Sequence, residues 1–143
     1  MSDNDYLPGL AQPAPTRDGL DAPFWQGARE HRLVLQKCSA CQRFQMPPEW
    51  ICHRCHSFDL EWQAVSGVGE IFSWTRIHNA NLPTLQDRVP YLAVVVQLPD
   101  ADDVLLLGNL LGDGNQSVAI GDSVEVCFED KDQATLVQWR RIE

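Results

Sequence analysis

The chain has 143 residues, 44% of them hydrophobic, and a net charge of −9. That is enough for one ordinary domain, or for a small domain plus a metal-stapled module too small to fold on its own core. The acidity is uneven: residues 1–30 hold two basic against five acidic side chains, residues 31–62 four against three, and residues 63–143 five against twelve. Nucleic-acid binding runs on Lys and Arg neutralising phosphates, so this distribution argues against a nucleic-acid partner. No apolar run is long enough to span a membrane, and the start lacks the basic and apolar segments of a signal peptide, which makes the chain an expected cytoplasmic protein.

Residues 1–20 carry Pro8, Pro13, Pro15, Gly9 and Gly19, and little regular structure is expected before Asp21. Asp21-Ala22-Pro23-Phe24-Trp25 reads as a helix start, with Asp21 at the N-cap and Pro23 in the first turn, where its missing N–H costs nothing. The helix is expected to end near Glu30. Phe24 and Trp25 are large for so short an element, and either fold back onto the next module or contact a partner. From His31 to Lys37 the residues alternate, with Leu33 and Leu35 facing one way and Arg32, Val34 and Gln36 the other, which is a strand pattern.

This strand leads into Cys38-x2-Cys41, followed ten residues later by Cys52-x2-Cys55. Two short thiol pairs at this spacing let two tight turns bring four sulfurs onto one ion, and Zn2+ is the first choice because four thiolates suit a closed tetrahedral site. Such a site is structural. Four-thiolate iron shares the geometry. Cys52-His53-Arg54-Cys55-His56 also matches the haem attachment pattern, but this leaves Cys38 and Cys41 unexplained, and disulfides suit an exported chain better. His53 and His56 are expected to face solvent. Pro47 and Pro48 fix the loop between the pairs, and Trp50 is placed to cover the sulfur shell. Leu60 and Trp62 close the module.

From Ala64 onward short strands alternate with turn signals: Gly69–Thr75, Tyr91–Leu98, Val104–Leu110, Ser123–Phe128 and Thr135–Trp139. Five short strands suggest a small antiparallel barrel, whose closure removes exposed edges, and an OB-fold is the natural candidate. Tyr91 to Val96 is apolar on both faces, as for a strand covered by barrel core on one side and by the ribbon or another subunit on the other. The connection from Arg76 to Pro90 is long enough to be functional or mobile. His78 at its base is a candidate base or ligand, with a hydrogen-bonded structural role as the alternative. Cys127 is followed by Glu129, Asp130 and Asp132, which oppose thiolate formation, so it reads as a small buried hydrophobe.

These residues together resemble the zinc-ribbon/OB-fold proteins, long catalogued as a domain of unknown function and found beside thiolase-like genes. The matching text is Pro23-Phe24-Trp25, Leu33-Val34-Leu35-Gln36-Lys37-Cys38, Pro47-Pro48 before Cys52, Ser66-Gly67-x-Gly69 leading to Ser73-Trp74-Thr75, Pro90-Tyr91 and Ile120-Gly121-Asp122. Family members often carry glycine after the second cysteine and a proline-glycine version of the second turn, where this chain has Gln42, His53 and His56. The resemblance implies a mainly β chain: an N-terminal helical segment within residues 1–30, a rubredoxin-like zinc ribbon over 31–62 and a five-stranded OB-fold over 63–143. It further implies a non-catalytic companion of thiolase-superfamily acyl-CoA enzymes, including acyltransferases and steroid side-chain aldolases. Phe24, Trp25, Trp74, Arg76, His78 and Arg88 are then candidate contacts to a partner or to acyl-CoA. A stand-alone acyl-CoA-binding module and a rubredoxin-like iron electron carrier are the alternatives.

Overall fold

The computed structural model describes residues 6–142; the first five residues of the expected N-terminal arm and residue 143 lie outside the described part. Helix α1 spans Ala22–Arg29, with Pro23 in its first turn. Asp21 stands at the N-cap but makes no side-chain capping bond. Its Oδ2 instead accepts from Trp25 Nε1 at 2.9 Å, which fixes the indole in place. Gly27 and Ala28 form the buried stripe. A Cβ at Gly27 would fall 2.5 Å from Val34 Cγ2, so a glycine is what lets the helix lie this close to the following strand.

Three antiparallel strands follow: β1 (Val34–Cys38), β2 (Phe44–Gln45) and β3 (Leu60–Ala64), in the order β2-β1-β3. The alternation expected along β1 is present, but both of its faces are covered. Leu33 and Leu35 enter a core shared with the rest of the chain, Val34 lies under α1, and Gln36 is buried.

The remaining strands are β4 (Val68–Ile77), β5 (Tyr91–Leu98), β6 (Val104–Leu110), β7 (Ser123–Asp130) and β8 (Thr135–Arg141), closed into a barrel in the order β4-β5-β6-β8-β7. Neighbours are antiparallel except β6 and β8, which run parallel and pair only at Leu110 and Trp139. Next to that pair the Asn109 amide donates to Gln138 Oε1 at 2.7 Å, a side chain of β8 in place of its backbone, which leaves a seam in the ladder. The five strands of the sequence reading are all present, β4 being longer at both ends and carrying an irregularity between Ile71 and Ser73. Along β5, Leu92, Val94, Val96 and Leu98 point into the barrel, whereas Tyr91, Ala93, Val95 and Gln97 are only half-buried. This second face, expected to lie under the ribbon or another subunit, is half-buried within the chain.

Ribbon and barrel share one core. Leu33, Leu35 and Phe44 pack with Ile71, Val94, Val96 and Trp139, and the Phe44 amide donates to Asp102 Oδ2 at 2.8 Å. Trp139 fills the barrel beside Gly108, where a Cβ would come within 2.8 Å of the indole. The arm, expected to be extended, is anchored across the barrel: the Tyr6 hydroxyl donates to Leu110 O at 3.1 Å and its amide to Glu129 Oε2 at 3.3 Å. The connection after β4 contains a short 3-10 turn, Pro83–Leu85, whose Leu85 is buried. No helix among the described residues is long and apolar enough to cross a membrane.

Candidate metal centre

The turn after β1 and the loop before β3 each present two thiols. All four sulfurs of Cys38, Cys41, Cys52 and Cys55 lie within 4.8 Å of one another, with Cys38–Cys55 at 3.6 Å and Cys41–Cys52 at 3.7 Å. A tetrahedral ion with sulfur ligands at about 2.3 Å requires sulfurs about 3.8 Å apart. The thiols match that edge and are too far apart for disulfides, whose sulfurs lie about 2 Å apart. Cys52 and Cys55 face the other pair, and His56 is exposed and outside the cluster, so the haem attachment pattern is not used as such. His53 is exposed too.

Local backbone geometry prepares the sulfurs for negative charge. The Cys41 amide points at Cys38 Sγ, at 3.5 Å, and leads the causes that lower the Cys38 pKa. The amides of Cys55 and Arg54 point at Cys52 Sγ, at 3.5 and 3.4 Å. They draw the Cys52 pKa down to about 6. At Cys55 the Ser57 amide pulls the same way, yet burial and the neighbouring sulfurs of Cys38, Cys41 and Cys52 together push the thiol up to about 11. Without an ion, four adjacent thiols cannot all ionise. A divalent cation removes that conflict, so the donor set fits a closed four-thiolate metal site.

Gln42 and His56 each follow a thiol pair and adopt left-handed backbone, with φ of 66° and 62°. Their amides close the two turns onto Cys38 O and Cys52 O, both at 2.9 Å. The turn geometry is thus kept without the glycine that usually serves it. A pair of buried glutamines, which the sequence reading missed, holds the second turn to the sheet. Gln45 Nε2 donates to Gln36 Oε1 at 2.6 Å and to Ile51 O at 3.3 Å, and Gln45 Oε1 accepts from the His53 amide at 3.1 Å. Gln36 in turn exchanges bonds with the Glu49 amide and carbonyl, both at 2.9 Å.

Trp50, expected to cover the sulfurs, is 71% exposed and does not. The other candidate residues separate into two regions. Phe24 and Trp25 meet edge to face, 5.3 Å apart, and line an apolar cavity of about 510 Å³ with Met46, Pro47 and the β6–β8 seam. Trp74 lies elsewhere, with the Arg76 guanidinium 5.3 Å from its ring centre. Arg76 is committed to structure, donating to Gly114 O and Gln116 O at 2.8 and 2.6 Å. Arg88 is exposed. His78 is exposed and has no hydrogen-bond partner among the described residues, so the structural-histidine reading of it is corrected. Cys127 is half-buried, and burial, opposed only by Arg140, pushes its thiol up, as for an inert cysteine.

A four-thiol ribbon packed on a closed OB-type barrel defines the class of protein. Two family models match it: the rubredoxin-like zinc ribbon domain of ChsH2 over residues 25–61 and the C-terminal OB-fold domain of ChsH2 over residues 62–129. A solved structure named "Ltp2-ChsH2(DUF35) aldolase" is similar at 30% identity and a TM-score of 0.77, covering 91% of this chain and 98% of that one. The chain belongs to this ChsH2 zinc-ribbon/OB-fold family. A DUF35-family protein of unknown function from Sulfolobus solfataricus shares the fold, with a TM-score of 0.63 at 17% identity over 87% of each chain. Among curated proteins, a probable enoyl-CoA hydratase alpha subunit of Thermomonospora curvata is 29% identical over 90% of this chain and 39% of its own length. The 3-oxo-4,17-pregnadiene-20-carboxyl-CoA hydratase alpha subunit of Mycobacterium tuberculosis is 30% identical over 91% of this chain and 40% of its own. The chain thus spans about two fifths of the length of these curated relatives.

Proposed function

We propose that this chain is a non-catalytic accessory subunit that docks on a thiolase-like enzyme, stabilises it and helps to form the path of its acyl-CoA substrate. The observation that carries the reading is the match, over 98% of its length, to the chain of a two-component aldolase whose name joins ChsH2(DUF35) to Ltp2. The names of the curated relatives, which are subunits of hydratases including one for a steroid acyl-CoA, add the acyl thioester as substrate class.

The chemistry of the chain supports this division of labour. Cys38, Cys41, Cys52 and Cys55 are assigned to one structural Zn2+, which when bound supplies cross-linking of the two turns and leaves no ligand position for substrate. Burial and the nearby Glu129 and Glu125 carboxylates push the Cys127 thiol up, which opposes the thiolate a nucleophile needs, and His78 is exposed with no hydrogen-bond partner among the described residues. What the surface offers instead is apolar area suited to a protein interface: Phe58 and Trp50 on the ribbon, Phe72, Leu107 and Ile120 on the barrel, each between 49% and 76% exposed. Coexpression with a candidate thiolase-like partner tests the reading. The partner is expected to be soluble and active only in the presence of this chain, and turnover by this chain alone would overturn it.

A further inference from the structure

Three consecutive residues at the end of β7 tie down both ends of the N-terminal segment. The Tyr6 amide donates to Glu129 Oε2 at 3.3 Å. After α1, His31 Nε2 meets both Asp130 oxygens at 3.0 Å, and Arg29 donates to Lys131 O at 3.2 Å. The two ends are not held alike. The α1 end is packed down through the buried Gly27 and Ala28, whereas residues 6–13 include no buried residue and hold two prolines without an N–H. Among the described residues, both hydrogen bonds of that stretch come from Tyr6, through its amide and through its hydroxyl to Leu110 O at 3.1 Å. A segment with so few buried contacts opens locally at a fraction of the free energy that unfolds the barrel.

The arm covers charge as well as hydrocarbon. Residues 7 and 9–13 roof a cavity of about 270 Å³ over the seam residues Asn109, Leu136 and Gln138. Glu129 and Lys131 line the same space, with Lys131 Nζ 3.0 Å from Glu129 Oε1 and only 7% and 10% of the two side chains exposed. Charged side chains this dry are rare outside a core, and here the arm is the cover. The same three seam residues also line the cavity of about 510 Å³ on the α1 side, so lifting the arm joins the two spaces along the seam.

Latch and hinge can both be placed. Gly9 has a φ of 81°, and a Cβ there would fall 2.4 Å from Thr84 Oγ1 in the connection after β4, so any larger residue displaces either the arm or Thr84. Between arm and α1 the Gly19 amide donates to Thr16 O at 3.3 Å and the Ala22 amide to Gly19 O at 3.0 Å, a pair of tight turns outside the core. We propose that residues 6–13 are a strap that opens and closes over the β6–β8 seam, hinged at residues 16–20 and latched by Tyr6 and Gly9, and that it governs access to the seam and to the Glu129–Lys131 pair. Closed, it separates the two cavities and keeps the ion pair dry. Open, it presents one continuous groove with a charged end. The strap belongs to this chain alone and does not rest on the accessory-subunit reading.

The sequence supplies the probe, since its only lysines are Lys37 and Lys131. Lys37 has its ammonium on the ribbon surface, and Lys131 lies under the strap. The purified, metal-loaded full chain is pulsed with the N-hydroxysuccinimide ester of acetic acid, and acetylation of each lysine is followed by peptide mass spectrometry. With the open form a minor state of roughly 0.1–10%, Lys131 should react about ten- to thousandfold more slowly than Lys37. Its rate should be nearly independent of urea below the unfolding transition, because local opening exposes little surface. Gly9→Ala and Tyr6→Ala should each raise the Lys131 rate at least about fivefold and leave the Lys37 rate unchanged. Tyr6→Phe, which removes only the hydroxyl, replaces either variant should it fail to fold. Labelling of Lys131 as fast as Lys37 in the wild type, a Lys131 rate that rises only with global unfolding, or a wild-type Lys131 rate in the variants overturns the proposal.

Discussion

Replacing Gln45 by Leu conserves volume and removes only polar atoms, which makes it a clean test of how the second thiol turn is held. Gln45 is 1% exposed, and its amide links strand β2 to Gln36, to Ile51 O and to the His53 amide. The substitution leaves the His53 amide and Ile51 O without this partner, and Gln36 Oε1 keeps only the Glu49 amide. A buried group left unsatisfied costs about 1–3 kcal/mol. Two such groups, partly rescued by water at the loop, make the expected destabilisation roughly 2–5 kcal/mol. Because the turn carries Cys52 and Cys55, the same loss should speed the transfer of metal to a chromogenic chelator. Denaturant unfolding of the metal-loaded protein and the transfer rate are the assays. Wild-type stability together with a wild-type transfer rate would refute the claim that the glutamine pair positions the turn.

The other expectations concern single positions. Cys38→Ser should lose the metal and unfold the ribbon, since in so small a module the binding free energy is folding free energy; metal analysis and circular dichroism report both. Cys127→Ser should keep partner turnover nearly intact. His56→Gly should stabilise by about 1 kcal/mol in thermal unfolding, because a left-handed non-glycine residue at φ 62° carries a steric cost that glycine lacks. Gly114→Ala should cost about 3 kcal/mol, since its Cβ would collide with the backbone carbonyl of Pro90. Acid should release the metal, because protons compete with it for the thiolates; in the metal-free chain the Cys52 pKa is depressed to about 6, so its thiolate contribution is complete above the ordinary thiol pKa and is lost as pH falls through about 6. Cys55, raised to about 11, must surrender its proton on loading at neutral pH, which calorimetry in buffers of different ionisation enthalpy measures as proton release.

The barrel was legible because its strands are bounded by strong turn residues and carry dense apolar text; β5 and β6 occupy the spans that the sequence suggests. The thiol spacing likewise specified which sulfurs converge. Strand β2 escaped, being two residues long and too short to show a period. Gln36 and Gln45 gave no signal, because a glutamine is buried only when its partners are supplied, here from loops six to thirteen residues away. Trp50 illustrates the opposite error: a large aromatic next to a metal turn suggests a cover, yet the chain leaves it 71% exposed. The anchoring of Tyr6 on strands more than a hundred residues distant and the cavity wall at Trp25 are products of tertiary packing, which periodicity does not encode.

The central claim is that this chain works as a zinc-stapled subunit of a larger acyl-CoA enzyme. Affinity capture of the tagged chain from its native host, with protein and metal mass spectrometry of the purified material, tests it most directly. The account predicts a thiolase-like protein retained with the chain through size exclusion and one zinc ion per chain. Recovery of the chain by itself, or with iron in place of zinc, would contradict it.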